Sequence, residues 1–308
     1  VKGGVERFLV VDEEDFKLFH GDSFKIIPYL RQFDMIFVDP PFFTWVSDSK
    51  GDDKPDHNSL SYEIWKRLES GGCIYLCGTQ PQLAMDWHWW ARFFTFLYEK
   101  IQAKNVGPPA INRKQPRRVH ENIWCMYRKK DSFSDLKITY DRITSKGTTK
   151  VVEGKAMRIW GEGKKSWRVG VGTPVSVFYG KKVDKNHPEY VGHPTQKPEK
   201  LIAEFIEMST EEGDWILDPF SGSGTVSAVA RRLGRNSVAI EIEDKWIDII
   251  AKRVDMVKRK RSIDEFLGLE VDEEKYEEYL EEKKITEPER IVARQEKLQL
   301  FTSKEEKP

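Results

Sequence analysis

Only three cysteines, Cys73, Cys77 and Cys125, stand in 308 residues. That is too few for a disulfide framework and favours a reducing compartment. No apolar run reaches the roughly 18 residues that a membrane-spanning helix needs. The first residues lack a signal-peptide pattern. A cytoplasmic protein with no membrane partner is therefore expected. Net charge is missing too: 51 Lys and Arg balance 51 Asp and Glu, so the whole chain predicts no partner and local charge must be read instead. No internal repeat is visible. Gly-Lys-Ser/Thr is absent, which argues against a triphosphate-binding loop. Cys73 and Cys77 share one face of a strand-like stretch. Without ligand pairs nearby, core packing accounts for them better than a metal, and no metal is expected.

What the chain does have is a buried strand that ends in chemistry. Asp34-Met35-Ile36-Phe37-Val38 runs into Asp39-Pro40-Pro41-Phe42. A continuous apolar run of this length reads as a strand of a parallel sheet. The prolines stop its ladder. An acid, a rigid turn and an aromatic ring are left at the carboxyl end, where open α/β sheets bind ligands. That set suits a flat ring bearing an amino group.

Other elements follow in order. Residues 17–22 read as a strand and turn, and 26–30 as a brief helix. Residues 47–55 form a loop. Tyr62–Leu68 reads as a helix closed by Gly71-Gly72, and Cys73–Cys77 as a second buried strand. Residues 82–98 read as an aromatic-rich helix leading into a strand, and 122–127 as another strand. After residue 192 a helix is expected at 198–209, a strand at 215–218, a helix from about 224, a strand at 237–241 and a helix at 246–256. Gly234 is placed to cap the middle helix. The fold class is α/β, with a doubly wound, Rossmann-like, mostly parallel sheet.

Asp218-Pro219-Phe220-Ser221-Gly222-Ser223-Gly224-Thr225 lies between a buried strand and an amphipathic helix. Its glycines let backbone approach a ligand, and the helix N-terminus offers free N–H groups. Glu241 ends the next strand, 17 residues after Gly224. In a βαβ nucleoside site such an acid accepts hydrogen bonds from ribose hydroxyls. Glu243 is its rival, but reads as part of the following turn. A third block, Gly192-His193-Pro194-Thr195-Gln196-Lys197-Pro198, would by itself be ordinary helix punctuation.

Between 137 and 168, nine bases face three acids, a local excess of six positive charges. Arg142, Lys146, Arg158, Lys164, Lys165 and Arg168 are among them, with Trp160 and Trp167 interleaved. A solvated surface segment would look similar. A polyanion-facing insert whose rings stack on bases is the sharper reading.

Taken in this order, the Asp-Pro-Pro-Phe, His-Pro-Thr-Gln-Lys-Pro, Asp-Pro-Phe-Ser-Gly-Ser-Gly-Thr and Ala-Ile-Glu blocks resemble the β group of DNA amino-methyltransferases. The resemblance covers roughly residues 17–258 apart from the 131–185 insert. It implies a class I methyltransferase fold and the cofactor S-adenosyl-L-methionine. Asp218, Phe220, Ser221, Gly222, Gly224 and Thr225 would border the cofactor, with Glu241 on its ribose, Thr195 and Lys197 facing it, and Asp22 near its adenine. Asp39 and the Pro40 carbonyl would each accept one hydrogen of the target amine, Pro41 would stiffen the turn, and Phe42 would stack on a flipped base. Many relatives carry Tyr at the Phe42 position; Phe keeps the stacking face. The His120-Glu121 pair resembles one near the target base.

The implied organisation is a catalytic half at 1–130, a target-recognition insert at 131–185, a cofactor half at 186–260 and a charged helical tail at 261–308. DNA is the implied partner. In this family an acid-led block is commoner for adenine N6 and a Ser-led one for cytosine N4, so adenine is favoured. Cytosine N4, an RNA amine and a catalytically silent nucleic-acid binder stay as alternatives. In the tail, Ile263, Phe266, Leu267 and Leu269 could pair in a homodimer. Residues 297–301, Lys-Leu-Gln-Leu-Phe, resemble sliding-clamp docking peptides, with Lys297 where Gln is usual.

Overall fold

A computed structural model describes residues 4–41, 56–104, 118–139, 176–180 and 182–257, and the backbone alone at 150–152 and 167–169. Phe42, Arg142, Lys146, Arg158, Trp160, Lys164, Lys165, the loop expected at 47–55 and the tail from 258 onward lie outside the described residues.

The chain begins with an edge strand, β1 (Leu9–Asp12), paired antiparallel with β2 (Phe16–His20). A single helical turn, α1 (Ser23–Ile26), leads to β3 (Phe33–Val38). Then come α2 (His57–Arg67), β4 (Leu68–Gly78), α3 (Gln82–Trp90), β5 (Phe94–Lys104) and β6 (His120–Arg128). A separate hairpin, β7 (Lys150–Val152) and β8 (Trp167–Val169), precedes β9 (Val177–Gly180). The last part is α4 (Glu199–Ser209), β10 (Trp215–Asp218), α5 (Thr225–Arg232), β11 (Asn236–Glu241) and α6 (Asp244–Asp255).

Among the described residues, nine strands form one sheet in the order β1-β2-β11-β10-β3-β4-β6-β5-β9. The run from β2 to β4 is parallel, and β6 lies antiparallel between β4 and β5. This is the doubly wound plan that the sequence predicts. Strand alternation sends the apolar side chains of β3 and β4 to two separate cores. Ile36, Val38, Ile74 and Leu76 face α2 and α3, packing with Leu60, Ile64 and Trp90. Met35, Phe37, Cys73, Tyr75 and Cys77 face α4 and α5, packing with Leu201, Phe205, Val226 and Val229. Phe205 stacks on Tyr75 at 4.1 Å between centroids. Burying each such side chain stabilises the fold by about 1.5–3 kcal/mol. All three cysteines are free and buried in the second core.

Several boundaries differ from the sequence reading: the helical turn expected at 26–30 is Ser23–Ile26 followed by a 3-10 turn at Ile27–Tyr29, the strand expected at 73–77 runs Leu68–Gly78, and the last helix is Asp244–Asp255. Helix α2 starts at His57, because Asp56 accepts hydrogen bonds from the backbone N–H groups of Asn58 at 3.0 Å and Ser59 at 3.3 Å. It ends at Arg67 and runs straight into β4, so Gly71-Gly72 lie inside a strand and do not close the helix. Their absence of side chains serves packing: a Cβ on Gly72 would stand 2.6 Å from the Asp34 carbonyl. Residues 131–139 pack against the sheet: Lys137 donates to Asp34 at 2.6 Å, and Thr139 N–H donates to the Met208 carbonyl at 2.9 Å. Strand β9, also within the 131–185 stretch, hydrogen-bonds to β5.

Candidate active site

The two chemical blocks meet because β3 and β10 are adjacent parallel strands, with Met35 opposite Ile216 and Ile36 opposite Leu217. Both therefore deliver their carboxyl ends to the same edge of the sheet. Asp39 follows β3 and Asp218 ends β10. A cleft of about 310 Å³ opens there, lined by Phe37, Asp39, His193, Thr195, Lys197, Asp218, Phe220, Ser221, Gly222, Ser223, Thr225 and Val226. Of the sequence-predicted cofactor residues, Thr195, Lys197, Asp218, Phe220, Ser221, Gly222 and Thr225 all line it.

The loop after β10 is shaped for close approach. Gly222 and Gly224 have φ of +51° and +71°, a region that side chains avoid. Gly224 sits as the residue before α5. Glu241 holds the loop from the neighbouring strand: its carboxylate accepts from the N–H groups of Gly222 at 2.7 Å and of Ile242 and Glu243 at 2.8 Å. Burial lifts its pKa above the usual range, with those N–H donors pulling the other way. Glu243 stands exposed just before α6, so Glu241 is the buried acid of the two.

Asp22 does not line the cleft. It caps α1, accepting from Phe24 N–H at 2.9 Å. Its turn nevertheless joins the same edge, since Gly21 N–H donates to the Glu241 carbonyl at 2.8 Å and Ser23 Oγ donates to the Pro219 carbonyl.

Beneath the loop lies an ionic frame that the sequence did not reveal. Arg253 of α6 donates to Ser223 O at 3.0 Å, Thr225 Oγ1 at 2.9 Å and Glu199 at 2.6 Å. Arg232 donates to the other Glu199 oxygen at 2.7 Å. Burial opposes the Glu199 charge, but the two guanidiniums hold its pKa down at about 2. Thr225 Oγ1 also donates to the Lys197 carbonyl at 3.4 Å, tying the Gly192–Pro198 block to α5.

Asp39 is the centre of a second set of charges. One oxygen, Oδ2, accepts from Lys197 Nζ. The other, Oδ1, is buried with no hydrogen-bond partner among the described residues. Burial lifts the Asp39 pKa, and Lys197 pulls it down. Burial opposes the Lys197 charge, yet Asp39 and Glu121 leave its pKa raised. Of the His120-Glu121 pair it is Glu121 that faces this centre, 3.6 Å from Lys197, whereas His120 is exposed. Strand alternation on β6 was the available signal. Asp218 is buried and its pKa is lifted by burial and then by Asp39. His193 packs edge-on against Trp246 at 4.6 Å. Burial and then Lys197 lower its pKa to about 4, so it is neutral at pH 7. Trp167 and Arg168 fall on β8, in the separate hairpin.

The donor set fits S-adenosylmethionine. Asp39 and Asp218 outnumber Lys197 among the groups that line the cleft, which suits a ligand carrying a sulfonium and an ammonium. Ser221 Oγ is buried without a partner among the described residues and lines the same cleft. The glycine loop leaves room where a side chain would not fit.

Known proteins point the same way. A family model described as DNA methylase matches residues 33–252. The chain is 30% identical over 265 residues to the Type II methyltransferase M2.DpnII of Streptococcus pneumoniae, covering 77% of this chain and 89% of that protein. It is 29% identical over 274 residues to the Type II methyltransferase M.HinfI of Haemophilus influenzae, covering 81% of this chain and 70% of that one. Among solved structures, PvuII DNA methyltransferase, described as cytosine-N4-specific, superposes with a TM-score of 0.56 at 15% identity, covering 78% and 86%. The M1.HpyAVI–SAM complex does so with 0.51 at 20% identity, covering 77% and 99%. At those identities the likeness is one of fold. The family model spans both chemical blocks and the strands that bring them together, and the chain belongs to the S-adenosylmethionine-dependent DNA methylases of the adenine-N6 and cytosine-N4 family.

Proposed function

We propose that this DNA amino-methyltransferase acts on the N6 amine of a flipped adenine. The carrying observation is Asp39: a half-buried carboxylate with one oxygen held by Lys197 and the other without a partner among the described residues, at the rim of the cofactor cleft. When bound, S-adenosylmethionine supplies a methyl carbon whose bond to sulfur breaks with its electron pair going to sulfur. Asp39 Oδ1 accepts one amine hydrogen and the Pro40 carbonyl accepts the other. Held by both hydrogens, the nitrogen directs its lone pair out of the base plane. Pro41 fixes the turn and Phe42 stacks on the ring. Positioning and charge, without a covalent enzyme intermediate, supply the rate.

The other roles belong to the same proposal. Thr195, Lys197, Asp218, Phe220, Ser221, Gly222, Gly224 and Thr225 border the cofactor, Glu241 holds its ribose, and Asp22 lies toward its adenine. Arg142, Lys146, Arg158, Trp160, Lys164, Lys165, Trp167 and Arg168 form the DNA-reading surface of a 131–185 insert, and His120 lies near the target base. DNA affinity then falls steeply with salt. The Type II relatives suggest a restriction-modification setting. Among the described residues no helix is long and apolar enough to cross a membrane. Cytoplasmic location, a homodimer through the tail and clamp docking through 297–301 rest on the sequence alone.

Base replacement tests the target. DNA in which adenine is replaced by purine, which lacks the amine, takes up no labelled methyl group. If replacing cytosine by its amine-free analogue abolishes uptake instead, the target is cytosine N4.

A further inference from the structure

Lys197 lies between two carboxylates from different strands. Its Nζ donates to Asp39 Oδ2 beside β3 and stands 3.6 Å from Glu121 Oε2 on β6. The other Glu121 oxygen accepts from Lys104 Nζ at the end of β5. Four residues from four segments thus form a row of alternating charge: Asp39, Lys197, Glu121, Lys104. Lys197 is buried and the other three are largely shielded, so a lone charge here is costly. At 3.6 Å the contact between Lys197 and Glu121 is an ion pair without a hydrogen bond. Glu121 Oε2 has no hydrogen-bond partner among the described residues. Lys197 is therefore seated on Asp39 with a second seat beside it.

We infer that Lys197 is a shared counter-ion that passes from Asp39 to Glu121 during turnover, and that Glu121 is a positioning residue for methyl transfer. This rests on Asp39 as the acceptor of the target amine. Before the amine arrives, Lys197 neutralises Asp39 through Oδ2 and leaves Oδ1 for an amine hydrogen. Once the target nitrogen has taken the methyl group, it carries a positive charge and one proton more than the product. That proton passes to Asp39 Oδ1. A carboxylate lone pair forms the new O–H bond, and the N–H bonding pair returns to nitrogen. Asp39 is now neutral and offers the ammonium no charge. Glu121 Oε2 takes Lys197, so the cation is never left unpaired. When product leaves, Asp39 releases its proton to solvent and Lys197 returns.

The neighbours of Asp39 set the direction of each effect. Lys197 and Lys104 lower its pKa, and Glu121 raises it. Asp218 on β10 and the Cys77 thiol on β4 also face it, and both have their own pKa pushed up, by burial first and then by Asp39.

Three variants of the full chain test the inference: Lys197→Met, Glu121→Gln and Lys197→Arg. The Asp39 carboxyl carbon is titrated by NMR without cofactor, assigned by its loss in Asp39→Asn. Single-turnover methyl transfer to DNA is followed against pH. In Lys197→Met the Asp39 titration and the acid limb move up by about one pH unit or more. In Glu121→Gln they move down, because Lys197 then belongs to Asp39 alone. Lys197→Arg keeps the titration in place. The transfer rate falls about 10-fold or more in the first two, and in Glu121→Gln, whose side chain does not line the cleft, cofactor affinity stays within about 3-fold. A general loss of packing would not move the titrations in opposite directions. Movement in the same direction, or in neither, overturns the shared counter-ion. If Glu121→Gln does not fold, Lys104→Met serves: it draws Lys197 toward Glu121 and moves the Asp39 titration up, and an unmoved titration contradicts the inference. Wild-type turnover in Asp39→Asn would instead overturn the reading of Asp39 itself.

Discussion

Lys197 reaches the Asp39 carboxylate across 158 positions of sequence, joining the loop before α4 to the end of β3. The pair exists because β3 and β10 lie side by side while their blocks stand far apart in the chain. It also divides the Asp39 oxygens into one occupied and one without a partner among the described residues.

Asp39→Ala removes that acceptor, and Asp39→Asn keeps an amide oxygen but loses the charge and the site that takes the amine proton. Methyl transfer should fall at least about 100-fold. Cofactor affinity, measured by calorimetry, should change little, since the glycine loop and Glu241 are untouched. Near-normal turnover would refute the role given to Asp39.

Glu241→Ala removes the acceptor of three backbone N–H groups that shape the glycine loop. A hydrogen bond to a charged group contributes about 1.5–3 kcal/mol. Cofactor affinity should weaken at least about 10-fold and the melting temperature should drop. Unchanged affinity would mean that the loop holds its shape without this acid.

Gly222→Ala and Gly213→Ala separate strain from contact. Both glycines have positive φ, +51° and +86°. A Cβ on Gly222 would stand 2.9 Å from His193 Nε2, whereas one on Gly213 would meet nothing within 4 Å. Each substitution should destabilise the fold by about 1–2 kcal/mol. Only Gly222→Ala should also weaken cofactor binding. Equal affinity in the two variants would count against the cleft as the cofactor site.

Glu189 gives a signature in pH. Its Oε2 accepts from Glu199 N–H at 2.9 Å. Burial first, and then the charge of Glu199, raise its pKa to about 7. The unfolded value is about 4.3. The folded chain therefore prefers Glu189 protonated, so this contribution to stability is full below pH of about 4.3 and is lost as pH rises through about 7. Glu189→Gln keeps an acceptor for the N–H and cannot titrate. Its melting temperature relative to the wild type should be higher at pH 8 than at pH 5. A difference that does not vary with pH would contradict this. Glu199, held at about 2, acts oppositely: its contribution is present above pH of about 4.3 and is lost as pH falls through about 2.

Much of the site was legible because its parts are local. An apolar run that ends in Asp39-Pro40-Pro41 needs no tertiary knowledge to read as a strand end. Neither does Gly222-Ser223-Gly224 before an amphipathic helix. What could not be read depends on pairing across the sheet. Glu121 faces Lys197 only because β6 runs antiparallel beside β4, with Asn122 opposite Gly78. The sequence offered Lys197 as a cofactor contact, and its ion pair with Asp39 needed the β3–β10 register. Arg232, Arg253 and Glu199 sit on three helices at ordinary surface-like spacing, and only packing shows that they are buried. Gly71-Gly72 misled because glycine ends helices and also permits close strand packing. Asp56 moved the start of α2 because a cap outweighs the weakly apolar first turn.

The most direct test of the central claim identifies the product. The purified protein is incubated with isotope-labelled S-adenosylmethionine and either DNA or RNA, the nucleic acid is digested to nucleosides, and the labelled species is identified by mass spectrometry. Label in N6-methyldeoxyadenosine is the predicted result. Label in N4-methyldeoxycytidine would move the target to cytosine, and label confined to RNA, or to no amine at all, would contradict the account.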